Sequence, residues 1–404
     1  MTTTIIITFC LLLLIAYLFD LSASKTRIPS VILLLILGWV LRQMSVFFEI
    51  KIPDLTTILP VFGTIGLILI VLEASLELEL DKSKVLLIKQ SLLGALLPMF
   101  ALTLILTYLF YHIGNYSFRN SLINAIPFSV ISSAVAIPSV RNLAKSLKEF
   151  IIYESSFSDI AGVIFFNFIA LNVSFGLASF VNFGLQLLVI ILISFVATIA
   201  LAILLHRIEH HIKFVPIILL VILIYAISEI YHLPALVFIM SFGLFIGNLN
   251  KLKRFKLIAR IQPEELEIEG RKFKEITTEA AFLVRALFFL LFGFILETSE
   301  ILNTETLLWS SGISLIVFIL RAIHLEILKQ PLIPLLFVAP RGLITILLFL
   351  SIEPVNRIII VNKSLVIQVI VICALIMMFG LMLIDHEKPV RKRLSSFRNK
   401  QLDA

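Results

Sequence analysis

Charge is scarce in this chain. Charged residues make up 15% of its 404 positions against 60% apolar ones, and the mean hydropathy is +1.10. Soluble domains carry about a quarter charged and about half apolar residues. So long a set of apolar runs excludes a water-soluble globular core. Cysteine is almost missing too. Cys10 and Cys373 both lie within apolar stretches and supply neither a disulfide framework nor metal-ligand spacing. No polar stretch is long enough for a nucleotide-binding or regulatory domain. The largest connection, 251–277, alternates in charge and reads as a partly helical cytoplasmic link; the tail at 386–404 is too short for a domain. The first apolar run has no basic residue before it, so a cleaved signal peptide is not expected.

What is present is hydrophobic length. About 20 mostly apolar residues in a helix span a bilayer's hydrocarbon. Thirteen runs meet this, at approximately 4–20, 28–47, 57–78, 86–110, 121–140, 150–172, 183–205, 214–231, 234–249, 278–297, 306–328, 331–351 and 364–384. The ninth is short, and the twelfth is interrupted by Pro334 and Pro340. Strands are excluded because the runs are too long and too numerous. The expected fold is an all-α polytopic membrane protein.

The basic residues test the topology, because loops rich in Lys and Arg stay cytoplasmic. The odd-numbered connections and the C-terminal tail carry 25 of the 33 basic residues. One missed helix would blur that asymmetry. It predicts an inner-membrane protein with the N-terminus outside and the C-terminus in the cytoplasm. The net charge of +7 thus reflects sidedness, and no nucleic-acid partner is expected.

Against this apolar background a few ionisable residues fall inside spans. A charge at the centre of a membrane helix costs at least about 2.5–3.5 kcal/mol and normally faces a partner or an aqueous cavity. Glu73, Glu154, Asp159, Arg321 and Arg341 are the candidates; Glu77, Glu229, Arg285 and Glu326 sit nearer span ends, where pairing or snorkelling accounts for them. Asp159 lies about nine residues into the sixth span, roughly 14 Å deep. Arg341 in the twelfth span and Ser132 and Ser133 in the fifth reach similar depth. Three distant segments therefore place polar groups in one layer.

Two of those segments look broken. VISSAVAIPSV carries Pro138, and FVAPRGLIT sets Pro340 and Gly342 around Arg341. Proline removes a backbone donor and clashes with the preceding turn. Non-helical backbone at that depth is tolerated only inside protein or beside a cavity, and paired broken helices hold ions in many transporters. The breaks are seven spans apart. That period fits two inverted six-helix repeats flanking a linker span, with helices 5 and 12 crossing.

At this point the residues resemble a family. YESSFSDIAGVIFF is similar to the sixth-helix motif of NhaP-like sodium/proton antiporters of the monovalent cation:proton antiporter superfamily, with Glu154 and Asp159 at the two acidic positions. IVLEASLELEL resembles the third-helix signature with Glu73, FILRAIHLEI the eleventh helix with Arg321, and APRGLITILLF the twelfth with Arg341 and Gly342. The match runs nearly the whole chain in order. Two positions depart from it: Ser158 replaces the Asn of an Asn-Asp pair, and Ser132-Ser133-Ala134 stands for Thr-Asp-Pro. The second acid near the site is therefore absent.

The resemblance implies a homodimer with a static interface part (about 1–80 and 214–297) and a moving core (about 86–172 and 306–384). It also implies a monovalent cation, sodium first, exchanged for protons, with no cofactor. Asp159 would hold the metal ion or the proton, helped by Ser158, Ser132, Ser133 and Glu154. A lone carboxylate in a dehydrated cavity resists standing charged and bare, so the core would cross only when it is neutralised by either ion. One-for-one electroneutral exchange follows from its being alone. Arg321 would hold Glu154, while Arg341 would neutralise carbonyl ends at the crossing, with Glu73 as partner.

A cytoplasmic histidine group, His206, His210 and His211, reads as a solvated basic loop. Other readings are a potassium/proton antiporter of the potassium-efflux type, an uncoupled cation channel, or an intramembrane enzyme. The last would need a midplane Lys or His. The spans hold His324 alone, near a cytoplasmic end.

Overall fold

The computed structural model describes residues 2–26, 28–49, 58–78, 82–141, 143–172, 176–207, 213–231, 233, 235–249 and 263–383. All its regular elements are helical. The first apolar runs form α1 (Thr2–Thr26), α2 (Ser30–Phe47), α3 (Leu59–Glu77) and α4 (Val85–Gly114). Asn115 ends α4 in the left-handed region, φ 54°, which Asn tolerates better than most residues. The fifth run divides into α5 (Phe118–Ser129) and α6 (Ser133–Ser139). Then come α7 (Lys145–Leu171), α8 (Leu177–Arg207), α9 (Phe214–Ile230) and α10 (Leu236–Gly247). After the undescribed stretch come α11 (Pro263–Ile295), a single turn α12 (Thr298–Ile301) and α13 (Thr304–Ile327). The twelfth run divides into α14 (Leu332–Leu335) and α15 (Leu343–Ser351), and α16 (Lys363–Leu383) closes the order.

Every apolar run falls on one of these helices or half-helix pairs. Among the described residues, seven single helices and the α5–α6 pair are long and apolar enough to cross a membrane, and three more helices are shorter and apolar. Two boundaries differ from expectation. The tenth run begins at Pro263 rather than near 278, because the second half of the charged link continues into it as one helix with proline in its first turn. The fifth run breaks at 130–132, upstream of Pro138, which lies within α6.

The helices pack in two groups. In the first, α11 lies on α2 and α3, α10 lies on α3, and α8 packs on α10 and α11. In the second, α4 lies on α5 and α7, α13 on α16 and α4, α6 on α7, and α15 on α5. The α2–α11 crossing brings backbones together: a Cβ at Gly38 would overlap the Leu290 carbonyl, and one at Gly293 would overlap that of Leu35. Apolar side chains gain little from leaving lipid, so such close approach through small residues is what joins membrane helices. Helix α3 is the seam, touching α6, α7 and α15 of the second group.

Burial follows the breaks. In an 18-residue stretch within 118–139, spanning α5 and α6, 89% of residues are buried, against 28% of such a stretch within 179–205 of α8. Open backbone donors and acceptors sit where protein, not lipid, surrounds them.

Candidate functional site

The two interruptions meet. The Ser132 N–H donates to the Pro340 carbonyl at 3.0 Å, joining the gap between α5 and α6 to the gap before α15. Arg341 crosses the same junction. Its Nε donates to the Phe128 carbonyl, in the last turn of α5, at 2.6 Å, and one terminal nitrogen donates to Ala339 at 2.9 Å. Helices leave their last carbonyls unsatisfied. A buried guanidinium, with its fixed fork of donors, answers that need.

Helix α7 supplies the remaining wall. Ser158 Oγ accepts from the Ile131 N–H at 2.9 Å, so a side chain satisfies a backbone donor freed by the break. The next residue, Asp159, reaches the same gap. Its Oδ2 accepts from the Ser133 N–H at 3.2 Å and also from the Ser133 hydroxyl. Its Oδ1 is buried with no partner among the described residues, as are the hydroxyls of Ser132 and Ser156. Asp159, Ser132, Ser133 and Ser158 are each at most 1% exposed. The arrangement therefore offers one carboxylate oxygen and nearby hydroxyls, hard oxygen donors of the type that bind hard cations. Among the described residues, no three His, Cys, Asp or Glu side chains converge as a multidentate metal site.

Glu154 lies apart from that oxygen set. Its Oε1 meets an Arg321 terminal nitrogen at 2.5 Å and His324 Nε2 at 3.4 Å, linking α7 to α13. Arg321 also donates through Nε to the Leu335 carbonyl at 3.0 Å, tying the pair to the end of α14. A Cβ at Gly94 on α4 would stand 2.8 Å from Glu154 Oε1, so a side chain there would push the carboxylate from its place.

One pairing differs from expectation. Glu73 faces Arg285 of α11 at 3.9 Å and not Arg341, because α3 packs on α11, while Arg341 meets the carbonyls at the crossing. His324, set aside as a residue near a span end, is buried in the Glu154 cluster. Its three-residue spacing from Arg321 puts both on one helix face, a signal that was available. An outer cluster went unread: Arg119 donates to Asn356 Oδ1 at 2.9 Å and to the Ala170 carbonyl at 2.9 Å, clasping α5 to α7 and to the turn after α15. Of the three histidines expected on the cytoplasmic side, His210 and His211 lie outside the described residues, as does the side chain of His206.

A family profile described as sodium/hydrogen exchanger, transmembrane, matches residues 10–384. The chain belongs to that family. Membership makes this chain a monovalent cation/proton antiporter, a transporter. Its fold is similar to that of the sodium proton antiporter MjNhaP1 of Methanocaldococcus jannaschii at pH 8, with a TM-score of 0.67 and 18% identity over 94% of this chain and 99% of that one. An electron-microscopy structure of MjNhaP1 from the same organism gives a TM-score of 0.69 and 18% identity over 96% and 100%. No curated relative matches the sequence significantly.

Proposed function

We propose that this exchanger carries one monovalent cation, sodium first, against one proton, and that both ions compete for Asp159. The observation that carries the reading is the half-engaged, fully buried carboxylate at the meeting of two helix breaks: Oδ2 is held by Ser133 while Oδ1 is open. A bare charge there is costly, so the group is neutralised by whichever ion is available. Sharing one group makes the exchange obligatory and, with one charge on each side, electroneutral.

In this reading the second helix group, carrying Asp159, Arg321 and Arg341, moves past the first, with α3 as the sliding surface. Exchange then alternates access without opening a continuous pore. The protein works as a homodimer in the inner membrane with its C-terminus in the cytoplasm. The basic asymmetry of the connections supports that orientation. Glu154 and Arg321 keep α7 and α13 in register while they travel.

The test is proton movement in everted vesicles, read by fluorescence dequenching on salt addition. Asp159→Asn should abolish sodium-driven dequenching while the purified protein keeps its helical content and its elution volume. Exchange surviving in that variant removes Asp159 from the mechanism.

A further inference from the structure

We propose that Ser133 sets the cation selectivity of this exchanger, holding the site in a weak-field state that narrows its preference for sodium over potassium to within about tenfold. The inference rests on Asp159 being the shared group. Both the N–H and the hydroxyl of Ser133 donate to Asp159 Oδ2. Donors on a carboxylate compete with a cation for its lone pairs and its charge. Only Oδ1 is left, buried and without a partner among the described residues.

The surroundings weaken the field further. Glu154, the other buried acid of α7, is engaged by Arg321 at 2.5 Å and His324 at 3.4 Å. Arg341 brings a buried positive charge to the carbonyls of Phe128 and Ala339 at the same crossing. Small cations give up their water more reluctantly than large ones, and the number and strength of the coordinating dipoles must compensate. A single, partly occupied carboxylate compensates poorly. The ranking accordingly moves from lithium and sodium toward potassium.

Wild-type protein and the Ser133→Ala, Ser133→Thr and Ser133→Asp variants, reconstituted in liposomes with an imposed pH gradient, measure this. The readout is the apparent KM for lithium, sodium and potassium. In the wild type the sodium and potassium values should lie within about tenfold of each other. Ser133→Asp adds a second carboxylate and should shift their ratio toward sodium by about tenfold, the scale of one charge-assisted interaction. Ser133→Ala removes the hydroxyl donor from Oδ2, leaving the N–H in place, and should shift it the same way by a smaller factor. Ser133→Thr keeps the hydroxyl and should keep the wild-type ratio. The proposal is overturned if the wild type prefers sodium by more than about a hundredfold, or if Ala and Asp variants that still exchange leave the ratio unchanged. If Ser133→Asp does not fold, the Ala and Thr variants decide. A wild type that exchanges none of the three cations sinks the antiport reading on Asp159, and this proposal with it.

Discussion

Arg321 carries two obligations at once: it faces Glu154 at 2.5 Å and the Leu335 carbonyl at 3.0 Å, while being 2% exposed. Removing one partner of a buried pair strands the other charge and costs about 3–5 kcal/mol, whereas replacing both partners by apolar groups is often neutral. Arg321→Leu should therefore lower the melting temperature in detergent sharply, and the double variant Glu154→Leu with Arg321→Leu should recover much of the loss. A single variant melting like the wild type would mean that the pair carries no stability. At this scale the sequence was informative where depth decided the matter. Counting residues inward from the span ends put Asp159, Ser133 and Arg341 in one layer, and hydrogen bonds join Asp159 to Ser133 and Arg341 to the end of α5. It was uninformative where a partner had to be chosen, since Glu73 is equally compatible with Arg285 and Arg341 until α3 is packed on α11.

Breaks belong to elements, and their cause is tertiary. Proline signals drew attention to Pro138, yet the chain leaves helical geometry at 130–132, where Ile131 and Ser132 give their N–H groups to Ser158 and Pro340. Pro138 removes one donor near the end of a short half-helix and sets nothing upstream. Pro138→Ala should consequently keep cation-driven proton movement in everted vesicles; its loss would assign the break to the proline. The α2–α11 crossing makes the opposite demand. A side chain at Gly293 meets the Leu35 backbone, which cannot rotate away, so Gly293→Leu should destabilise the protein by about 1–3 kcal/mol. Thermal unfolding followed by circular dichroism measures it, and an unshifted transition would place the helices farther apart.

Across the whole molecule, ion pairs respect sidedness. Arg141 with Asp20, Lys148 with Glu77 and Lys213 with Glu269 join segments expected on the cytoplasmic side; Arg42 with Glu297 and Lys363 with Glu300 join segments expected outside. Two of these pairs bridge the helix groups: Arg141, after α6, reaches Asp20 of α1 at 2.8 Å, and Lys148 of α7 lies 4.0 Å from Glu77 of α3. Each is half-exposed and worth at most about 1 kcal/mol, weak enough to open in each cycle. If the groups slide, Asp20→Cys with Arg141→Cys, bridged by a short bifunctional thiol reagent in a background lacking Cys10 and Cys373, should stop exchange. Transport undiminished by complete bridging would show that these two segments do not separate.

Hydropathy, the bias of basic residues and the depth of a residue within its run are properties of the chain read in one dimension. They determined the membrane class, the helical runs and the layer holding Asp159, and they set an expectation of sidedness. Tertiary structure alone decided at which residues the helices break, which arginine meets Glu73, and which oxygen of Asp159 remains open. Those outcomes depend on groups such as Phe128 and Arg341, 213 positions apart, competing for the same buried donors and acceptors. In a medium without water, each such group takes the partner that packing brings within reach.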